Sequence, residues 1–153
     1  MSYKVLDHAT DALIEVTASS LIEAFEVAGY SVVDTILDNS KIEEKKERNI
    51  VVNGKDLNYL LYNWLEEIVF LLITEGFAIK KLNITLERNE KYTISAQIFG
   101  EDIDIKKHGF KVEIKSPTFH EMDIHINLTI IHISEPTRLA KISNAVYCLK
   151  KNM

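Results

Sequence analysis

Apolar and polar positions change period several times along this 153-residue chain, and each change predicts an element. Residues 4–6 and 13–17 read as short strands, separated by a polar corner from Asp7 to Asp11. The alternation in Leu13-Ile-Glu-Val-Thr-Ala18 suits a half-buried strand. Ser19 or Ser20 then supplies a helix N-cap, with Glu23 three residues after Ser20 as in a capping box. Leu21, Ala24, Phe25, Ala28 and Val32 fall on one face of the helix that follows, which runs to about Leu37 before Asp38-Asn-Ser40 ends it. Gly29 lowers the helix propensity there by ~1 kcal/mol and so marks a kink or a close packing contact.

Asn49-Ile-Val-Val52 reads as a strand that ends in the turn dipeptide Asn53-Gly54. Leu57, Leu60, Leu61, Trp64, Leu65, Ile68 and Leu72 then repeat at helical spacing, with Asp56 as cap and Gly76 as stop. A stripe of tryptophan and leucines at that period is a core face. After Gly76 the period becomes two: residues 82–86, a turn at Arg88-Asn-Glu90, and residues 92–98 make a hairpin. Gly100-Glu-Asp102 is expected to turn into Ile103-Asp-Ile105, and residues 111–115 to form another strand. Met122, Ile124, Ile126, Leu128 and Ile130 alternate along a last one. Ser134-Glu-Pro136 then resembles a cap with proline in the first helical turn. Leu139, Ile142, Ala145, Val146 and Leu149 would share one side of a helix of about four turns. The expected fold is α+β and two-layered: two long amphipathic helices on a largely antiparallel, partly mixed sheet, with an additional C-terminal helix. Residues 1–133 would form the domain, and 134–153 a helical extension packed on it. The extension's apolar stripe either closes over the domain's own core or meets a partner, a second copy or another protein.

Composition narrows the class. An apolar fraction of 46% with two prolines and five glycines suits a compact chain. No apolar run approaches the roughly 20 residues of a membrane span. The opening Met-Ser-Tyr-Lys has no secretory core behind it, and the lone Cys148 suits a reducing compartment. A cytoplasmic protein is the expectation. Eighteen basic and twenty-three acidic residues give a formal net charge of −5. Proteins that grip phosphates usually carry a basic excess, so no direct nucleic-acid binding is expected. The mixed run from Lys41 to Arg48 reads as a solvated loop or strand edge.

The candidate chemistry is sparse. Cys148 lies beside Lys150 and Lys151 and reads as a small packed thiol rather than a nucleophile. There is no paired-cysteine zinc spacing and no HExxH. Tyr92, Phe99, Phe110 and Phe119 at strand positions read as packing rather than base stacking. Asp7, His8 and Asp11 are different, being a charged corner between two apolar strands. A polar turn is one reading; a divalent-cation site is the other, and its further oxygen ligands would have to come from elsewhere in the fold.

These segments together resemble the archease family. The features are Tyr3 followed by Asp7-His8-Ala9-Thr10-Asp11, Leu60-Leu61-Tyr-Asn-Trp64-Leu65, Gly100-Glu101, Lys107-His108, and Lys115-Ser-Pro-Thr118-Phe119-His120. They occur in the family's order from Tyr3 to about Ile124. The resemblance implies a protein that catalyses nothing itself. Instead it activates the GTP-dependent, RtcB-type tRNA-splicing ligase, promoting guanylylation and multiple turnover. It also implies a divalent cation, calcium in the family, held by Asp11 and the end of a late strand, which falls at His132 and Ile133 here. Asp7, His8, Glu101, Lys115, Thr118 and His120 would lie behind that site or on the surface offered to the ligase. Two departures stand out: Ala9 and Thr10 exchange the family's order, and His132 stands where the family has an acid. Imidazole suits a transition metal better than calcium. Two other functions compete with this one. The first is a small metal-dependent hydrolase, with Asp11 and His8 on the cation and Glu101 or His120 as general base. The second is a chaperone for a tRNA-modifying methyltransferase.

Overall fold

The computed structural model describes residues 2–6, 11–111, 114–131 and 138–151. Strands β1 (Ser2–Leu6) and β2 (Asp11–Ala18) come first, followed by helix α1 (Leu21–Ile36), a 3-10 turn (Asn39–Lys41) and strand β3 (Lys46–Gly54). Helix α2 (Leu57–Val69) runs on into a π turn (Phe70–Thr74). Strands β4 (Phe77–Arg88) and β5 (Tyr92–Asp102), the one-turn helix α3 (Ile105–His108), and strands β6 (Ile114–Ile131) and β7 (Arg138–Lys151) complete the order.

The local signals act where the sequence puts them. Ser20 Oγ accepts the Glu23 N–H at 3.1 Å, while the Glu23 carboxylate reaches back to Ser19, one residue before the cap. Asp56 caps α2 by accepting the Tyr59 N–H at 2.9 Å. Gly76 ends the following turn with a φ of 62°. A Cβ at Gly29 would stand 2.7 Å from Leu82 of β4 and 3.3 Å from Trp64 of α2, so this glycine serves close packing.

The strands form two sheets, β1-β2-β7-β6 and β3-β5-β4. Every pair in them is antiparallel, without the parallel component expected from the sequence. The layering also differs from a single sheet under two helices, because α1 and α2 each touch both sheets. On one side of α1, the fully buried Tyr147 of β7 is hydrogen-bonded to Ser31 and, at 3.3 Å, to the Ala28 carbonyl. On another side, Gly29 meets Leu82. Trp64 Nε1 of α2 donates to the Phe25 carbonyl of α1 at 2.8 Å, which ties the helices together in the core.

The largest correction concerns the tail. Residues 138–151 form no helix; they are β7, paired on one edge with β2 and on the other with β6. The helical stripe through Leu139, Ile142, Ala145, Val146 and Leu149 competes with a period of two. Among the described side chains of β7, Ala145, Tyr147 and Leu149 are buried, and two waiting strand edges decide between the readings. The cap signals at Ser134 and Pro136 lie outside the described residues.

Three smaller differences follow from local chemistry. Gly100 and Glu101 lie inside β5 rather than in a turn. A Cβ at Gly100 would stand 1.9 Å from the Ala78 carbonyl oxygen, so only glycine allows this approach of β5 to β4. Ile105 opens helix α3 instead of ending a strand, because the Asp104 carboxylate accepts the Lys106 and Lys107 N–H groups. The two late strands are one, β6, with a register irregularity between Thr118 and Asp123. The mixed-charge run is divided between the 3-10 turn, a connector and the start of β3.

Two outcomes test this architecture. Deleting residues 138–153 strips an inner strand from a four-stranded sheet and should abolish cooperative thermal unfolding followed by circular dichroism; a truncated chain that still melts cooperatively would contradict it. Tyr147→Phe removes only the buried hydroxyl and should lower stability by about 1 kcal/mol in a denaturant titration, with the strand still in place.

Candidate functional site

β7 brings the two singled-out segments together. Asp11, the first residue of β2, pairs with Lys150 of β7, which pairs on its other side with Ser116 of β6. Two residues further along β2, Leu13 pairs with Cys148, and Cys148 with Thr118. Segments more than a hundred residues apart in sequence thus lie two strand spacings apart, roughly 10 Å. Lys115 falls at the irregularity between Ile114 and Ser116, and His120 within the one between Thr118 and Asp123. Such irregularities re-aim side chains and are frequent beside functional sites.

Asp7, His8, His132 and Ile133 lie outside the described residues. The described end of β6, Ile131, pairs with Arg138, twelve residues along β7 from Lys150. At about 3.3 Å per residue that separates it from the Asp11 end of the sheet by roughly 40 Å. Among the described residues no three His, Cys, Asp or Glu side chains gather to hold a metal ion. Opposite Asp11 the register supplies a lysine rather than a second acid. Calcium takes six to eight oxygen ligands, and the described residues do not make up that set.

A second cluster is fully defined. Glu101, 7% exposed, is the acceptor for three groups from two segments. Its Oε2 receives the Glu43 backbone N–H at 2.7 Å, Lys107 Nζ at 3.0 Å and His108 Nε2 at 3.2 Å. Its Oε1 receives Lys107 Nζ at 3.1 Å. His108 is 0% exposed, and its Nδ1 accepts the Asp104 N–H at 2.9 Å. That leaves the proton on Nε2, facing Glu101. Lys45 pairs with Glu43 at 3.1 Å and approaches Glu101 to 3.8 Å. The Glu43 N–H, then Lys107 and His108, hold the Glu101 carboxyl at about 2, below its ordinary 4.5, against a desolvation that acts the other way.

This arrangement suits clamping rather than proton transfer. A carboxylate held near 2 is a poor general base, and both nitrogens of His108 are engaged. The motifs Gly100-Glu101 and Lys107-His108 therefore converge on one buried network. Sequence reading missed its other members, Glu43 and Lys45, because they sit in a mixed-charge run that resembles a solvated loop. Pairing of β5 with β3 is what carries that run past Glu101; the Lys45 N–H donates to the Gly100 carbonyl at 2.8 Å.

The archease protein family (MTH1598/TM1083) matches residues 3–133. The chain belongs to the archease family. Protein archease of Pyrococcus abyssi is 38% identical over 119 residues, 77% of this chain and 84% of that protein. Protein archease of Pyrobaculum islandicum is 36% identical over 126 residues, 81% and 86% of the two chains. The solution structure of Methanobacterium thermoautotrophicum protein 1598 superposes with a TM-score of 0.74 at 24% identity, covering 97% of this chain and 98% of that one. The part of this chain left uncovered is about five residues, fewer than the twenty from 134 to 153. Residues 138–151, expected as part of a helical extension, thus lie largely within the part that superposes. Among the described residues no helix is long and apolar enough to cross a membrane.

The depressed Glu101 pKa has a signed consequence. A carboxyl held lower in the folded chain stabilises it fully above the unfolded value near 4.5, and loses that effect as pH falls through about 2. The stability difference between the wild type and Glu101→Gln should therefore be constant above about pH 5 and close between pH 4.5 and 2. Denaturant titrations across that range read it; a gap that persists unchanged at pH 2 would rule out the assigned network.

Proposed function

We propose that this archease activates a GTP-dependent, RtcB-type tRNA-splicing ligase, promoting its guanylylation and its repeated turnover, and catalyses no step itself. The reading rests on family membership over residues 3–133. The observation that carries it is the juxtaposition across β7 of Asp11 with Ser116 and Thr118. The two signature segments are thus brought to one end of one sheet, where a single protein partner would meet both. The net charge of −5 fits a partner that is itself a basic, RNA-binding protein. The cation implied by the family resemblance would enter through Asp11 with Asp7 or His8, since Ile131, the described residue before His132, lies roughly 40 Å from the Asp11 end of the sheet. The buried Glu101 node, already saturated with donors, speaks against the hydrolase alternative for its own carboxylate.

Asp11→Ala changes an acidic residue at the start of a strand, and the stability cost of such a change is small, within about 0.5 kcal/mol if the site is exposed. It should abolish stimulation in a multiple-turnover joining assay with the ligase, its 3′-phosphate and 5′-hydroxyl RNA ends, and GTP. Full stimulation by a folded Asp11→Ala chain would sink the reading. Phosphoesterase activity of the wild-type chain alone with Mg²⁺ or Mn²⁺ would favour the hydrolase instead.

A further inference from the structure

We propose that the buried Glu101–His108 network is a positioning device for the start of β6, and so for residues 115–120, within the ligase-activating surface; this rests on the ligase reading above. The connection is continuous along the chain. Glu101 fixes His108 and Lys107 from one side, and Gly100 fixes Glu101 by seating β5 against Ala78. The Asp104 cap and the left-handed Gly109, whose N–H donates to the Ile105 carbonyl at 3.0 Å, define the two ends of α3.

From α3 the restraint passes to the end of α1. The His108 carbonyl accepts the Asp38 N–H at 2.8 Å. The Lys111 N–H donates to the Ile36 carbonyl at 2.7 Å, and Lys111 Nζ to the Asp34 carbonyl at 2.9 Å. A lysine placed on the last carbonyls of a helix satisfies orphan acceptors and matches the helix dipole. The Asp34 carboxylate is itself bonded to Asn39 and, at 2.8 Å, to the Tyr3 hydroxyl of β1. Three residues beyond Lys111, the buried Ile114 opens β6, paired with Lys151 beside the Asp11–Lys150 pair.

The chain therefore approaches the start of β6 from a point, Lys111, held by backbone and side-chain bonds to the end of α1. That matters because residues 115–120 take in the register irregularity between Ile114 and Ser116 and the start of the one between Thr118 and Asp123, so ladder bonds alone do not fix their position. A burial cost is accepted for a carboxylate and an imidazole that touch none of the signature residues' described backbone. In the proposed scheme their role is to preset that backbone, so that the ligase does not have to order it on binding.

Backbone amide hydrogen exchange of the isolated chain tests this without the ligase. Glu101→Gln and Glu101→Ala should speed exchange at residues 114–118 by about tenfold or more, the alanine more than the glutamine, with residues 126–131 and the centre of α2 unchanged. The same two variants should lose ligase stimulation in that order. If Glu101→Ala does not fold, Glu101→Gln alone decides. Exchange that is unchanged at 114–118, or that rises uniformly through the chain as for a general stability loss, overturns the proposal. Loss of stimulation in Asp11→Ala together with full stimulation in Glu101→Gln overturns this inference and leaves the ligase reading standing. Full stimulation by Asp11→Ala removes the ligase reading, while the exchange pattern still reports whether Glu101 positions β6.

Discussion

The antiparallel pairing of β7 with both β2 and β6 is the constraint on which the rest depends. A strand edge inside a fold exposes a row of N–H and C=O groups that must find partners, and β2 and β6 each have one edge facing the same gap. β7 fills it along Arg138–Lys151 and closes both ladders at once. Its inward residues Ala145, Tyr147 and Leu149 complete the core beneath α1. Without it, β1-β2 would be a two-stranded hairpin against α1, cut off from β6, and the signature segments would have no common scaffold.

Helices between two sheets bury more of their circumference than helices on one sheet. In α1 the buried set includes Ala24, Val27 and Ser31 as well as Phe25, Ala28 and Val32. Small residues make this layer thin enough. Gly29 lets Leu82 and Trp64 close in on α1, and Ser31 offers a hydroxyl to Tyr147 where a larger side chain would push β7 away. Burial drives the Tyr147 phenol well above its ordinary value, so the group stays neutral and the bonds to Ser31 and Ala28 satisfy it.

The charged residues divide into two kinds of work. The Glu101 node is interior, shared among β5, α3 and residues 42–45, and its electrostatics serve geometry. The Asp11 end of the sheet is where the proposed function places the partner. Between them, the chain is held at the end of α1 through His108, bonded to Asp38, and Lys111. A chain of net charge −5 thus spends several of its lysines on internal pairing, among them Lys107 and Lys45.

Much of this was legible in the sequence, and for identifiable reasons. Helices α1 and α2 and the β4–β5 hairpin were readable because period, caps and turn residues agree: Ser20, Asp56, Gly76 and the turn after Arg88 all act locally. The motif Asp7-His8-Ala9-Thr10-Asp11 and its later companions pointed to the archease family, which the match over residues 3–133 confirms. Tertiary structure alone decided β7. Its residues satisfy a helical stripe and a strand alternation equally well, and only the two open edges of β2 and β6 select between them. The partners of Glu101 were likewise hidden, since Glu43 and Lys45 look solvated until β3 pairs with β5 and brings them beside a buried carboxylate. Local chemistry is written in adjacent residues, whereas a strand's place in a sheet and a charge's burial depend on distant partners: Asp11 and Lys150 pair across 139 residues, Glu43 and Glu101 across 58.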